Sequence, residues 1–158
     1  MSTEPPSDNH HRRLVRQALV EWRPQFLAAF QTWNLETVRT LALVNSAGLA
    51  GVSAIYASDS AAKIYLGAYP SAALFAFGLV CALLNMYANS QGHLRREREV
   101  FSRIVALDSE QLDPQRALEP VTAGKYWFRT AEAAGWSTLA MFCGGAWPFI
   151  RPAFAGLL

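Results

Sequence analysis

Charged side chains are scarce in this 158-residue chain, at 16% of all residues against 52% hydrophobic ones. They are missing altogether from three long stretches, residues 40–58, 64–92 and 133–150. A helix needs roughly 18 to 20 apolar residues to cross a bilayer, and each stretch is that long. The composition therefore suggests that lipid is the solvent of these stretches. It predicts three transmembrane helices, at 40–58, 70–88 and 133–151.

Cysteine and histidine are also rare. The two cysteines, Cys81 and Cys143, lie inside the uncharged stretches, where a thiol behaves as a small hydrophobic group. A disulfide framework or a zinc site is therefore not expected. His93 and Glu97 have i,i+4 spacing, but two ligands do not make a metal site. We expect no metal and no cofactor.

Catalytic motifs are missing as well. The chain has no G-x-S-x-G, no H-E-x-x-H, no phosphate-binding G-x-x-x-x-G-K and no pair of acids inside the uncharged stretches. No catalytic residue is predicted, and the chain is interpreted as non-enzymatic. In the run RREREVFSR (95–103) bases alternate with acids, which does not favour nucleic acid. Attraction of its bases to anionic lipid headgroups is the simpler interpretation.

The sequence predicts an all-α, multi-pass membrane protein whose soluble parts flank the spans. Residues 1–11 are polar and read as a disordered tail. Residues 12–39 have the spacing of an amphipathic helix, with Pro24 expected to kink or divide it. Because this helix is basic, contains tryptophan and leads into the first span, it is predicted to lie in the membrane interface. Residues 89–132 form a cytoplasmic helical loop, and 152–158 a short C-terminal tail.

Orientation follows from the basic residues. Twelve Lys or Arg fall on the side of the N-terminus and the long loop, and two on the other side. The positive-inside rule therefore places the N-terminus in the cytoplasm. Interfacial anchors are predicted at Trp22, Trp33, Tyr126, Trp127 and Trp136. This plan resembles that of many small bacterial membrane proteins, which suggests a bacterial inner membrane.

Four polar residues form the candidate site: Asn45, Asn85, Asn89 and His93. The last three are each four residues apart, so on a helix they make one stripe. Asn45 and Asn85 lie about one turn from the cytoplasmic ends of the first two spans, and we expect them to meet at similar depth. The stripe has three interpretations: hydrogen bonds between helices, the lining of a hydrated passage, or a catalytic site.

Small residues point to partners. Close helix packing is predicted at Ala47, Gly51, Gly144 and Gly145. The first functional hypothesis is an accessory or assembly subunit that acts through homo- or hetero-oligomerisation with itself or another membrane protein. The alternative is a homo-oligomeric pore lined by the asparagines, and a membrane enzyme is the third hypothesis. A two-span topology, in which the third segment enters the membrane without crossing, also stays open.

Overall fold

The computed structural model describes residues 6–29, 35–58 and 69–155. This part of the chain is all-helical, as the sequence predicts, and contains no strand. Its helices are α1 (Pro6–Ala29), α2 (Leu35–Ser58), α3 (Ser71–Asp108), α4 (Pro114–Ala117) and α5 (Lys125–Ala155).

Helices α2 and α3 are long and apolar enough to cross a membrane. The most apolar window of α2 is only 11% buried within the chain, and that of α3 is 33% buried. A core helix of a water-soluble protein is mostly buried, so both helices leave apolar surface to be covered by something else. The third predicted span, 133–151, lies within α5, and its crossing of a membrane stays a prediction.

Helix α3 extends far beyond its apolar half. It begins directly after Pro70, whose carbonyl accepts a hydrogen bond from Leu74 N at 2.9 Å. It ends before Glu110, which adopts a left-handed backbone with φ of 59° and cannot continue the helix. Its 38 residues span about 57 Å. A bilayer core is about 30 Å thick, so almost half of α3 lies outside any membrane it crosses.

Several boundaries differ from the predicted ones. Helix α1 begins at Pro6, so residues 6–11 are helical and not a disordered tail. A proline is well accommodated at the first helical position, because the N–H it lacks would have no intrahelical acceptor there. The same helix continues through Pro24 without being divided. Helix α5 continues to Ala155, into the predicted C-terminal tail.

The central helix is α3, with α2 and α5 packed antiparallel along it. The aromatic ring of Phe75, which is 3% exposed, lies between glycines of the two neighbours. A Cβ on Gly48 of α2 would stand 2.5 Å from this ring, and a Cβ on Gly145 of α5 would stand 3.0 Å from it. The missing side chains therefore make room for Phe75, and the three helices meet around one residue.

The far half of α3, residues 89–108, carries a hydrophobic core separate from the one around Phe75. Val15 and Leu19 of α1 are buried in one cluster with Val100, Ile104, Leu107 and Ala117. Arg16 Nε donates to Asp108 Oδ1 at 2.8 Å beside this cluster. Part of the apolar face of α1 is therefore covered by protein, whereas the sequence predicted that lipid would cover it. The difference arises because α3 extends beyond its uncharged stretch and presents an apolar face of its own.

The segment between α4 and α5 is held to α3 by hydrogen bonds to one ion pair of that helix. Arg103 pairs with Glu99 and also donates to the carbonyl oxygens of Ala117, Glu119 and Pro120. Glu99 in turn accepts from Ala123 N at 2.7 Å. The two charged side chains are mostly buried, so their remaining hydrogen-bonding capacity is used by backbone. We call these contacts of Arg103 and Glu99 the clasp. The clasp fixes the position at which the chain returns to α3 and begins α5.

Candidate functional site

Asn85 joins two helices through a buried hydrogen bond. Its Nδ2 donates to the carbonyl oxygen of Ala131 in α5 at 2.5 Å. A Cβ on Gly135, one turn further along α5, would stand 2.9 Å from the same nitrogen. The glycine therefore leaves room for the amide beside the helix backbone. An amide held between apolar helices needs such a partner, because an unpaired one there costs several kcal/mol.

Asn89 continues the chain of hydrogen bonds. Its Nδ2 donates to Asn85 Oδ1 at 2.9 Å, and both asparagines are less than a tenth exposed. Each amide positions the next, so the pair forms a small network that ends on the backbone of α5. This part of the predicted stripe is a real spatial unit.

Asn45 lies elsewhere. It is fully buried, and its Nδ2 donates to Leu41 O in its own helix at 2.9 Å. Its Oδ1 has no hydrogen-bond partner among the described residues and lies against Gly78 of α3, where a Cβ would overlap it. The expected meeting of Asn45 with Asn85 is therefore wrong. Gly78 precedes Asn85 by seven residues, which on a helix separates the two depths by about 10 Å.

His93 lies one turn beyond Asn89 and packs against an aromatic ring. Its imidazole meets the Phe128 ring edge-on, with centroids 5.0 Å apart. The Arg96 guanidinium carbon stands 4.3 Å from the centre of the same ring. Burial, and then the positive charge of Arg96, lower the pKa of His93 below its ordinary value. His93 therefore favours its neutral form in the folded chain.

These four side chains have little chemistry to offer. Amides neither titrate nor attack a substrate, and His93 faces a ring and a cation in the contacts above. The described part of the chain contains no group of three or more His, Cys, Asp or Glu side chains placed to hold a metal ion. The hydrogen bonds of Asn85 and Asn89 align α3 with α5.

A groove opens next to Asn85 between α2 and α5. It measures about 320 Å³ and is mainly apolar, with Val38 and Leu41 on one wall and Trp136 on the other. Glu132 also lines it. The groove is open to the outside of the bundle, so it is a surface feature and not a closed cavity.

The predicted small-residue positions divide into two groups. Gly145 is buried against Phe75, and a Cβ on Gly144 would stand 3.4 Å from Leu74 Cδ1. The α5 glycines therefore lie next to α3 of the same chain. Ala47 and Gly51 of α2 are exposed, and nothing lies within 4 Å of a Cβ built on Gly51. Gly144 is also exposed, but of the two glycines Gly51 and Gly144 only Gly51 has open space beside it.

The predicted aromatic anchors also occupy different environments. Tyr126 is 80% exposed and Trp136 is 66% exposed, as side chains that meet lipid headgroups are. Trp127 lies between Tyr87, at a ring distance of 6.0 Å, and Arg95, 5.4 Å from its centroid. Trp22 packs on the core shared by α1 and α3. Trp33 lies outside the described residues.

Apart from Asn85 and Asn89, sequence reasoning missed the residues of α3 that lie buried against the neighbouring helices. Buried positions on α3 alternate by three and four residues: Phe75, Gly78, Ala82, Asn85, Asn89 and Gly92. This spacing is visible in the sequence and would have identified the face. Gly124 was also missed; its φ is 83°, and a Cβ there would stand 2.5 Å from Gly92 O. Only glycine combines that backbone with so close an approach.

The chain matches no protein-family model, and comparisons with curated proteins and with solved structures likewise find no match.

Proposed function

We propose that this chain is a non-enzymatic integral membrane protein that acts as a subunit of a larger membrane assembly. In this proposal α2, the first half of α3 (71–88) and α5 cross the membrane. The membrane is then a bacterial inner membrane, with the N-terminus, the far half of α3 and α4 in the cytoplasm. Twelve of the Lys and Arg residues lie on this side, as the positive-inside rule expects. The exposed aromatic residues Tyr126 and Trp136 then lie near the inner headgroups, where α5 enters the bilayer.

The observation that carries this proposal is the incomplete burial of α2. Only 11% of its apolar window is buried within the chain, although the helix is rich in small residues. Lipid alone does not require small side chains, whereas close helix contacts do. Ala47 and Gly51 are one turn apart on its open side, with empty space beyond Gly51. A helix of another membrane protein or of a second copy fits this surface.

The hydrogen bonding of the polar residues also supports a role without chemistry. Asn85 and Asn89 bond to each other and to α5, and Asn45 is fully buried against α3. Side chains that line a water-filled passage must face it. The pore hypothesis therefore requires these asparagines to leave contacts that the single chain already makes, which makes it the weaker alternative.

Membrane integration is tested first, by washing membranes that contain the full chain with alkaline carbonate. A protein held by spanning helices stays in the membrane pellet, whereas one bound only to headgroups is released. Release of the chain would contradict the proposal. Dye-loaded liposomes test the alternative: they are expected to stay sealed, and leakage abolished by Asn85→Leu would favour the pore.

The assembly surface is tested with Gly51→Leu, measured as the size of the complex solubilised from native membranes in mild detergent. A leucine at this open position does not disturb the chain's own packing, so loss of the larger species would report on a partner. Ala140→Leu is the matched control, because Ala140 is a small exposed residue of α5. An unchanged complex for Gly51→Leu would exclude this face of α2.

A further inference from the structure

Three side chains from two helices stack on one another near the middle of α3. The rings of Tyr87 in α3 and Trp127 in α5 meet edge-on, with centroids 6.0 Å apart. The guanidinium carbon of Arg95, about two turns further along α3, lies 5.4 Å from the centre of the Trp127 ring. We call these three residues the arginine stack. The negative face of an indole attracts a guanidinium, so the ring restricts where the Arg95 side chain lies.

The arginine stack lies at the depth of phospholipid headgroups in the proposed topology. Tyr87 is near the cytoplasmic end of the span at 71–88, and the backbone of Arg95 lies about 10 Å beyond residue 88 along the helix axis. The headgroup layer is about 5 to 7 Å thick on each side of the bilayer core. Side chains on a helix point back toward its N-terminus, which for α3 is the membrane side. The Arg95 side chain therefore turns toward the headgroups, in agreement with its contact with Trp127.

The hydrogen-bond donors of Arg95 are available to an anionic ligand. Arg95 is exposed, and it forms no ion pair or hydrogen bond with the residues that the structure describes. The acids that follow it on α3 do not neutralise it, because Glu99 pairs with Arg103 and Glu97 lies about 200° around the helix from Arg95. Arg98, one turn further along, is also exposed and has no acidic partner within the described ranges. The surface around the arginine stack is therefore positively charged.

We propose that the arginine stack binds the phosphate of an anionic phospholipid in the cytoplasmic leaflet. The inference deepens the proposed function and rests on it, because the stack lies at headgroup depth only if α3 crosses the membrane. Arg95 binds the phosphate oxygens through paired N–H donors, whose planar fork matches a phosphate in both geometry and charge. Tyr87 and Trp127 are the amphipathic aromatic residues that favour this depth of a bilayer, so they hold Arg95 where the phosphates lie.

The surface next to the arginine stack favours a lipid over a soluble phosphate ion. Leu84 and Val80 precede Tyr87 by three and seven residues, so they continue the same side of α3 into the membrane. Leu84 is 45% exposed and Val80 is 59% exposed. An acyl chain attached to the bound phosphate covers these apolar side chains, and a soluble phosphate does not. One phospholipid therefore contacts both the charged and the apolar part of this surface.

Lipid titration followed by native mass spectrometry tests the site in the full chain, purified in a non-ionic detergent. The probes are phosphatidylglycerol, which is anionic, and phosphatidylcholine with the same acyl chains, which is not. Arg95→Gln is expected to weaken phosphatidylglycerol binding about tenfold, as loss of a charge-assisted hydrogen bond does, and to abolish the preference over phosphatidylcholine. Arg129→Gln is the matched control: Arg129 is an exposed base of α5 without an aromatic contact among the described residues. It should bind nearly as well as the parent chain.

Two further arms test the chemistry of the contact and the source of the phosphate. Arg95→Lys keeps the positive charge but lacks the planar fork, so it should recover only part of the affinity. Inorganic phosphate at millimolar concentration should not displace phosphatidylglycerol, because it has no acyl chain to cover Val80 and Leu84. Displacement by inorganic phosphate, full recovery with Arg95→Lys, or equal losses in Arg95→Gln and Arg129→Gln would each overturn the proposed lipid site.

These results are separable from the proposed function. A chain that stays in membranes after the carbonate wash and loses its larger complex on Gly51→Leu, but binds phosphatidylglycerol equally well with Arg95→Gln, refutes only the lipid site. A chain released by the wash refutes the membrane role, and the lipid site with it.

Discussion

Asn85 Nδ2 and Ala131 O stand 2.5 Å apart, and this buried hydrogen bond ties the central helix to α5. This contact positions two side chains, because Asn89 donates a hydrogen bond to Asn85 and Gly135 leaves room for the Asn85 amide. Within the polar stripe, Asn85 and Asn89 therefore align two helices and stabilise the folded chain.

Asn85→Ala is expected to lower the free energy of unfolding by about 0.5 to 2 kcal/mol, the range found for polar contacts between membrane helices. The change removes the donor to Ala131 and also leaves Asn89 without its acceptor. The measurement is unfolding in mixed detergent micelles followed by circular dichroism. Ser137→Ala serves as the control, because Ser137 donates only within its own helix. Equal stability of Asn85→Ala and the control would contradict a role in alignment.

Gly78→Ala is expected to destabilise the contact between α2 and α3 by about 1 to 3 kcal/mol, as overpacking does. The new Cβ would overlap Asn45 Oδ1, and this side chain is fully buried with little room to move. The double variant Gly78→Ala with Asn45→Ala removes the overlap, so it should recover part of the loss.

The test of this pair is a double-variant cycle on thermal unfolding in detergent. A coupling of at least about 0.5 kcal/mol is the expected result for residues in direct contact. Strict additivity of the two single effects would show that Gly78 and Asn45 do not meet.

The depth of Asn45 illustrates what a single sequence leaves undetermined. The uncharged stretches predicted the helices because the hydrophobicity of a segment can be read from that segment alone. The register of α2 against α3 depends on how Phe75 fits beside Gly48, and on a connection at 59–68 that lies outside the described residues. Asn45 therefore meets Gly78, although its distance from the predicted membrane boundary resembles that of Asn85.

Helix α1 illustrates a different reason for the mismatch. The periodicity predicted a helix, and the structure has one at Pro6–Ala29, but periodicity does not tell which surface covers its apolar residues. The covering residues, Val100 and Leu107, come from the far half of α3 and lie more than 80 positions along the chain from Val15. The buried face of α3 was accessible from its spacing, whereas this long-range docking was not.

Arg103→Met is expected to release the loop between α4 and α5. The variant keeps the length of the side chain but loses its pairing with Glu99 and its donors to three backbone carbonyls. Trypsin should then cleave at Arg116, in this region, several times faster than in the parent chain. Arg129→Met is the control, because Arg129 is exposed and lies on α5 away from the clasp. Unchanged cleavage at Arg116 would mean that the contacts of Arg103 do not hold the loop.

Acidification is expected to destabilise the contact of His93 with Phe128. The pKa of His93 is lowered in the folded chain, so the unfolded chain binds a proton more readily. The stability that depends on neutral His93 is therefore fully present above the ordinary histidine pKa of about 6.5. It is lost as the pH falls from there through the lowered pKa, because burial, and then the positive charge of Arg96, disfavours the protonated ring.

His93→Gln removes this titration, which makes it the comparison for the pH prediction. The melting temperature of the parent chain should fall more between pH 7.5 and pH 5 than that of the variant. Parallel melting curves for the two proteins over this interval would show that His93 does not contribute to the pH dependence.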